Sequence, residues 1–537
     1  MNRKAGVLMP IFSLPSKYGI GCFDQAAYDF VDYLTEAGQT YWQILPLSPT
    51  SFGKSDNSPY QSYSAFAGNP YFISLDVLVE EGVLTASEVE NGDFGKRPGT
   101  IHYKKLNDNR YAILRKAYQR SHVNEDPAYQ EFLTNNGWWL NDYALFMALH
   151  DFFEGKTWME WPEDIRMHWD FAVDYYNREL YFETEFQKYM QFKFTQQWTK
   201  LKAYANSRHI QIIGDIPIYV SVNSTDVWAH PELFQLDEYH VPTATAGCPP
   251  DAFAADGQVW WNTLFNWDYH RSTGYEWWSS RLWYMFQMYD VVRIDHFRAF
   301  DEYFSVPYGS NSAADGHWEK GPGMDFFRTI EWRLGRKQVV AEDLGLMTNT
   351  VRQLVNETGY PNMKVLQFGF DKGDIGYGND YLPHNYGHNC VVYTGTHDNE
   401  TIVGWYQGLD EEMHHLVRNY LNDFYTPDDK IYKSFVAMAL RSTADTCVIP
   451  IQDYLGLDNK ARNNVPGTDS GNWCWRVTKS KLTEELKKEI LVNTLQYGRL
   501  NWDNSEILEF YYSDKTAYDF YSYHDWCSPL PKQGLSH

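Results

Sequence analysis

The sequence predicts an α/β protein built on a (β/α)8 barrel of parallel strands. A large, mainly helical insertion separates strands two and three, and further insertions lengthen the loops at one end. Three observations lead there. Eight short, apolar, β-type runs recur along the 537 residues, with helix-periodic stretches between several of them. The chain opens β-α-β, the repeat unit of a parallel fold. Three of the runs end in acids, at Asp295, Glu342 and Asp398, and the C-terminal ends of barrel strands are where such folds place their chemistry.

Strand one is read at Val7–Phe12 and is followed by a helix over Phe23–Gly38, in which Ala26, Phe30, Tyr33, Leu34 and Ala37 share one face and Gly38 ends it. Strand two is Tyr41–Leu47. A polar loop, Ser48–Gln61, follows, and from Asp76 to Arg208 helical spacing dominates, with stretches at Lys105–Ser121, Asp142–Phe153 and Asp174–Ser207. That is more than a barrel crossover requires, so it is read as an insertion; an independent helical domain is the alternative, disfavoured because the strand rhythm resumes. Strand three is His209–Tyr219, and the residues at about 221–275 read as long loops over the binding site. A helix at Tyr275–Tyr289 leads into strand four, Val291–Phe297. Strands five to eight are Gln338–Ala341, Met363–Phe368, Cys390–Tyr393 and Thr446–Ile451, and a last helix is Leu482–Tyr497. The expected division is therefore 1–75 (strands one and two), 76–208 (helical insertion), 209–499 (rest of the barrel) and 500–537 (an acidic, Tyr-rich extension). A doubly wound open sheet is the competing architecture, but no G-x-G-x-x-G follows strand one.

Composition narrows the partners. A net charge of −24 argues against nucleic acid and anionic membrane, which select basic surfaces. Aromatic residues make up 17 % of the chain, and their rings suit the flat C–H faces of sugars as well as a large core. Six scattered cysteines without a C-x-x-C pair fit reduced thiols. Pro10 and Pro15 interrupt the apolar start, and no run approaches the ~18 apolar residues of a membrane span. A cytoplasmic protein is the expectation.

The acids carry the chemistry. Asp295, Glu342 and Asp398 end strands four, five and seven, and Asp215 lies in strand three, so all four are placed to converge on one mouth. Converging carboxylates in a sugar-sized cleft fit glycosidic chemistry, one ionised and attacking, one protonated and donating. Arg293 lies two residues before Asp295 and by strand alternation points to the same side, where a guanidinium keeps Asp295 ionised. His397 is placed to bond a sugar hydroxyl. The competing chemistry is a His/Asp metal site drawn from Asp295, His296, His397 and Asp398. Barrel sites of that kind usually begin with His-x-His on strand one, where this chain has Pro10-Ile11-Phe12-Ser13.

At these residues the sequence resembles the amylomaltases, or disproportionating enzymes: 4-α-glucanotransferases of the α-amylase clan. The resemblance runs from about Gly6 to Val477. It is carried by Trp42-Gln43-Ile44-Leu45-Pro46-Leu47, Ser58-Pro59-Tyr60, Phe66-Ala67-Gly68-Asn69-Pro70, Gly214-Asp215-Ile216-Pro217, Arg293-Ile294-Asp295-His296-Phe297-Arg298, Ala341-Glu342-Asp343-Leu344-Gly345 and Thr394-Gly395-Thr396-His397-Asp398-Asn399. It implies a retaining enzyme that moves α-1,4-glucan segments between malto-oligosaccharides, with glucose also an acceptor and with no metal or organic cofactor. It implies Asp295 as nucleophile, Glu342 as general acid/base and Asp398 as the acid gripping the sugar beside the cleaved bond. Tyr60, Asp215, Arg293, His397 and Asn464 match substrate-binding positions, and Gln258 and Trp260 lie on the acceptor-side loop. An α-amylase-like hydrolase and a non-catalytic glucan-binding barrel are the alternatives. The chain departs from the family pattern at Ala252, where an aromatic usually follows Pro-Pro-Asp, at Asn463, where Met is usual, and in the tail beyond Leu500.

Overall fold

A computed structural model describes residues 3–50, 57–95, 97–250, 257–372, 379–468 and 470–504. Ala252 and the extension beyond residue 504 lie outside them. Eight parallel strands close into a barrel: β1 (Lys4–Leu8), β2 (Tyr41–Gln43), β3 (Gln211–Ile216), β4 (Val291–Ile294), β5 (Val339–Ala341), β6 (Asn362–Val365), β7 (Cys390–Tyr393) and β8 (Thr446–Pro450). Each pairs with its sequence neighbour, and β8 returns to β1. All eight predicted strands exist, but several end sooner than read. Proline sets two of those ends, because it has no N–H to give to a ladder. β1 stops at Leu8 before Pro10, and Ile11–Ser13 is a short 3-10 turn rather than strand; β3 stops before Pro217, and β2 stops at Gln43. β6 likewise stops at Val365, and Leu366–Gly369 turns.

Alternation sorts each strand between two cores. Leu8, Tyr41, Ile213, Val291, Val340, Met363, Val391 and Val448 fill the barrel interior as one buried cluster, whereas Val292 and Ile294 belong to the larger core outside. Val291 facing inward therefore carries Arg293 inward too. Gly214 on β3 allows the strand to approach helix-side packing, since a β-carbon there would lie 2.1 Å from the Tyr289 ring.

Between β2 and β3 the chain is helical, as expected, with two corrections. The helix read at Asp142–Phe153 spans Pro127–Phe152, capped by the Asp126 carboxylate on Ala128 N–H at 2.9 Å, with Pro127 at the first helical position. Its second half is buried all round (Tyr143 to Phe146, for example), and so shows no one-sided stripe in sequence. The long helix read at Asp174–Ser207 is two, Asp170–Glu179 and Tyr181–Ser207, broken at Leu180. The insertion is tied to the barrel by one side-chain amide and one indole: Gln191 accepts from Gly68 N–H (2.7 Å) and donates to its carbonyl (2.8 Å), and Trp198 Nε1 donates to Met288 O at 3.0 Å.

The stretch 221–275, read as long loops over the site, does reach the cleft wall, but it contains short strands that the reading did not give. Val220–Ser221, Gln258–Thr263, Ala244–Cys248, Glu302–Pro307 and His317–Lys320 form, in that spatial order, a second, antiparallel sheet. These strands are two to six residues long, too short to show a period, and Ala244-Thr245-Ala246-Gly247-Cys248 has little β-propensity of its own. Beyond the last helix among the described residues, Glu484–Gln496, Arg499 is buried and donates to the carbonyls of Leu440, Ser442 and Ala444, and Asn501 donates to Gln39 O and His209 O. No helix among the described residues is long and apolar enough to cross a membrane.

Candidate active site

A cleft of about 760 Å³ opens over the C-terminal ends of the strands, lined among others by Tyr60, Arg293, Asp295, Glu342 and Asp398. That is a size suited to an extended ligand. The register makes neighbours of the first two acids. Ile294 on β4 pairs with Ala341 on β5, so Asp295 and Glu342 are the next residues on adjacent strands, and Glu342 N–H donates to Ile294 O at 3.1 Å.

Arg293 organises the ionised groups. Only 3 % of its side chain is exposed; its Nη1 lies 2.7 Å from both oxygens of Asp215 and 3.0 Å from Asp295 Oδ1. Asp215 is wholly enclosed and takes a further hydrogen bond from Tyr60 O–H at 2.8 Å. Tyr60 also lies 2.7 Å from His397 Nε2, and the two rings stack at 5.2 Å. Charges this buried are stable only when paired, so Asp215, Arg293, Tyr60 and His397 behave as one unit. Asp295 is 27 % exposed on the cleft side, and Oδ2 takes no hydrogen bond among the described residues.

Glu342 is held by two backbone donors. His296 N–H donates to Oε2 at 2.6 Å and Leu344 N–H to Oε1 at 2.9 Å. His296 can point its N–H there because its φ is +51°, a left-handed backbone uncommon outside glycine. Burial pushes the Glu342 carboxyl up to about 8, and the Asp295 charge adds to it. Burial also raises Asp295, to about 6, but the Arg293 guanidinium limits the rise. The two titrate as a pair in which Glu342 keeps the proton. Near neutrality the site thus holds one carboxylate and one carboxylic acid side by side.

Asp398 has a different environment. Burial works against its charge, but His397 (Nε2 to Oδ2, 3.2 Å) and the Asn464 amide (Nδ2 to Oδ1, 2.6 Å) outweigh it and hold the carboxyl below its ordinary range. Arg462 fixes both partners through their backbones, donating to Asp398 O at 2.7 Å and Asn464 O at 2.6 Å. With 41 % of its side chain exposed, Asp398 still faces the cleft.

Gln258 and Trp260 line the opposite wall on the strand Gln258–Thr263, the indole donating to Gln258 Oε1 at 3.0 Å. The His296 ring meets Trp260 edge-on at 4.8 Å and is kept neutral, its pKa lowered to about 3 by burial and by Arg298. All ten sequence-predicted residues therefore fall in or against one cleft. The rival metal reading finds no group of three His, Cys, Asp or Glu side chains able to hold an ion among the described residues. Sequence reasoning missed Trp318, whose ring stacks on Arg298 at 3.9 Å, and the half-exposed Trp261 and Phe368 on the same walls. Gln61, which ties the Tyr60 loop to Trp260 O at 3.0 Å and Asn262 Oδ1 at 2.9 Å, was also missed. Phe368 and Gln61 sat beside residues already singled out, whereas nothing around Trp318 marked it.

The geometry has matches among known proteins. The family model described as 4-alpha-glucanotransferase (glycoside hydrolase family 77) matches residues 9–483. The 4-alpha-glucanotransferase of Streptococcus pneumoniae is 44 % identical over 507 residues, covering 93 % of this chain and 98 % of the relative. That of Clostridium butyricum is 43 % identical over 494 residues, covering 91 % and 100 %. Among solved structures, the amylomaltase of Streptococcus agalactiae in complex with acarbose superposes with a TM-score of 0.89 at 40 % identity, covering 93 % of this chain and all of that one. The amylomaltase of Corynebacterium glutamicum, at 18 % identity and a TM-score of 0.74, shares the fold. A match this complete, over a barrel whose strand ends present a carboxylate and a carboxylic acid to one cleft, leaves no room for the hydrolase or binding-protein alternatives: the chain belongs to the 4-alpha-glucanotransferase family, the amylomaltases, and has its activity.

Proposed function

We propose that the chain moves α-1,4-glucan segments between malto-oligosaccharides by a retaining double displacement, with Asp295 as nucleophile and Glu342 as general acid/base. The observation that carries this is the pair of neighbouring acids in opposed states, Asp295 charged against Arg293 and Glu342 protonated by burial. In the first step Glu342 gives its proton to the glycosidic oxygen as Asp295 attacks the anomeric carbon. The C–O bond to the departing chain breaks, and a glycosyl ester forms on Asp295. In the second step Glu342, now ionised, takes the proton of an acceptor's 4-hydroxyl, whose oxygen displaces Asp295. Two inversions give retention.

Asp398 accepts hydrogen bonds from hydroxyls of the sugar being cleaved, its charge secured by His397 and Asn464. Tyr60 lines the cleft beside the same sugar, and His397, enclosed behind it, acts through Tyr60 and Asp398. Asp215 acts through Arg293 and Tyr60, because both its oxygens are already engaged. Gln258 and Trp260 form the acceptor side, where an indole face favours a sugar over water. Donors and acceptors are malto-oligosaccharides and other α-1,4-glucans, glucose included as acceptor; acarbose in the Streptococcus agalactiae relative is in keeping with this. Cys22, Cys390 and Cys447 are buried free thiols, which fits a reducing, cytoplasmic setting.

Incubation with maltotriose alone tests the reading: glucose and a ladder of longer oligosaccharides are expected, with little net rise in reducing ends. A rise in reducing ends without longer products would contradict it. The pH dependence has a definite sign. Turnover needs Asp295 ionised and Glu342 protonated, so kcat/KM for maltotriose is expected to rise with pH through about 6 and fall through about 8. A profile with no alkaline fall would remove Glu342 as the acid.

A further inference from the structure

Asp453 is enclosed on the short helix Ile451–Tyr454, which follows β8 directly. Its two oxygens hold two points on the neighbouring chain. Thr394 O–H donates to Oδ2 at 2.5 Å, and Ile402 N–H donates to Oδ1 at 2.8 Å. Thr394 is the first residue after β7, and Ile402 is the first of the helix Ile402–Gln407. One carboxylate thus sets the separation between the two ends of the loop that carries His397 and Asp398. Thr394 and Ile402 are fully buried, and none of the three residues lines the cleft. Between its ends the loop forms no helix or strand, so its place depends on such ties. Its centre is a closed turn: Thr396 N–H and O–H both donate to Asn399 Oδ1 at 2.8 Å. A shift at either end is therefore passed on to Asp398 rather than absorbed on the way.

We propose that Asp453 is a positioning residue for the transfer reaction, which fixes both ends of the Thr394–Ile402 loop and so places the Asp398 carboxylate against the sugar being cleaved. This rests on the reading of Asp398 as the acid that accepts from that sugar. His397 and Asn464 decide which way the Asp398 carboxylate turns; Asp453 decides where the loop that bears it stands. Misplacing a group in the site by about 1 Å costs on the order of 10²-fold in rate, even when the change lies away from the chemistry.

The test is a double-mutant cycle on full-length protein, reading kcat and KM for maltotriose with Asp453→Ala, Asp398→Ala and the two together. Asp453→Ala alone is expected to lower kcat about 100-fold with KM changed far less. In protein already carrying Asp398→Ala it is expected to cost at most about threefold more, because no carboxylate is left to place. Asp453→Asn is expected to stay within about threefold of the parent, since its amide oxygen can accept from Ile402 N–H and its nitrogen can donate to Thr394 Oγ1. Thr394→Val removes one tie only and is expected to cost about tenfold, whereas Thr394→Ser, which keeps the hydroxyl, costs less than about twofold. Should a thermal melt show Asp453→Ala unfolded, the Thr394 pair carries the same cycle. Losses that multiply with that of Asp398→Ala, or a folded Asp453→Ala with the parent's kcat, would overturn the proposal alone. A loss below about tenfold for Asp398→Ala by itself would overturn the role of Asp398, and the proposal with it.

Discussion

Asp295→Asn is expected to lower kcat for transfer from maltotriose by at least about 10⁴-fold, with KM changed far less. The amide has nearly the shape of the carboxylate but cannot form the glycosyl ester. The fold is expected to survive, because Arg293 keeps its two contacts of 2.7 Å to Asp215 after the charge of Asp295 is gone. Asp215→Asn would leave that guanidinium with less compensation in a closed space, which is the costlier way to break a buried pair. Initial rates with maltotriose, alongside a thermal melt, separate the two effects. A loss of less than about tenfold in kcat for Asp295→Asn would remove it as nucleophile.

Glu342→Gln is expected to cost about 10³-fold with maltotriose, within the range removal of a general acid/base usually costs. Its signature is rescue. With an α-maltosyl fluoride donor the leaving group needs no proton, so the first step regains its speed and releases about one equivalent of fluoride per site in a burst. The second step still lacks its base and is slow, until azide, which has no proton to lose, is added and takes the glycosyl group with net retention. The same rescue for Asp398→Asn would assign the acid wrongly.

The barrel was legible because its strands are apolar runs in a fixed order, and the acids because each follows directly on such a run. Alternation alone placed Arg293 beside Asp295, and the contact at 3.0 Å bears that out. Other features depend on pairing that composition does not encode. The sheet from Val220 to Lys320 is built of strands of few residues that gain their order from one another. The backbone of His296 turns left-handed to reach Glu342, which no residue type announces; only its ring could be weighed beforehand, and it is the N–H that meets Glu342. Tyr60, Asp215 and His397 were recognisable singly as polar residues near the strand ends, but their linkage through one hydroxyl appears only in three dimensions.

The central claim is that the glycosyl group rests on Asp295 between donor and acceptor. A donor fluoride lacking the 4-hydroxyl of its non-reducing end cannot serve as acceptor, so with Glu342→Gln protein the intermediate should accumulate. Acid quenching, proteolysis and mass spectrometry are expected to find the added glycosyl mass on the peptide that contains Asp295. The same mass on the peptide carrying Asp398, or an inverted product with no adduct on any peptide, would contradict the account.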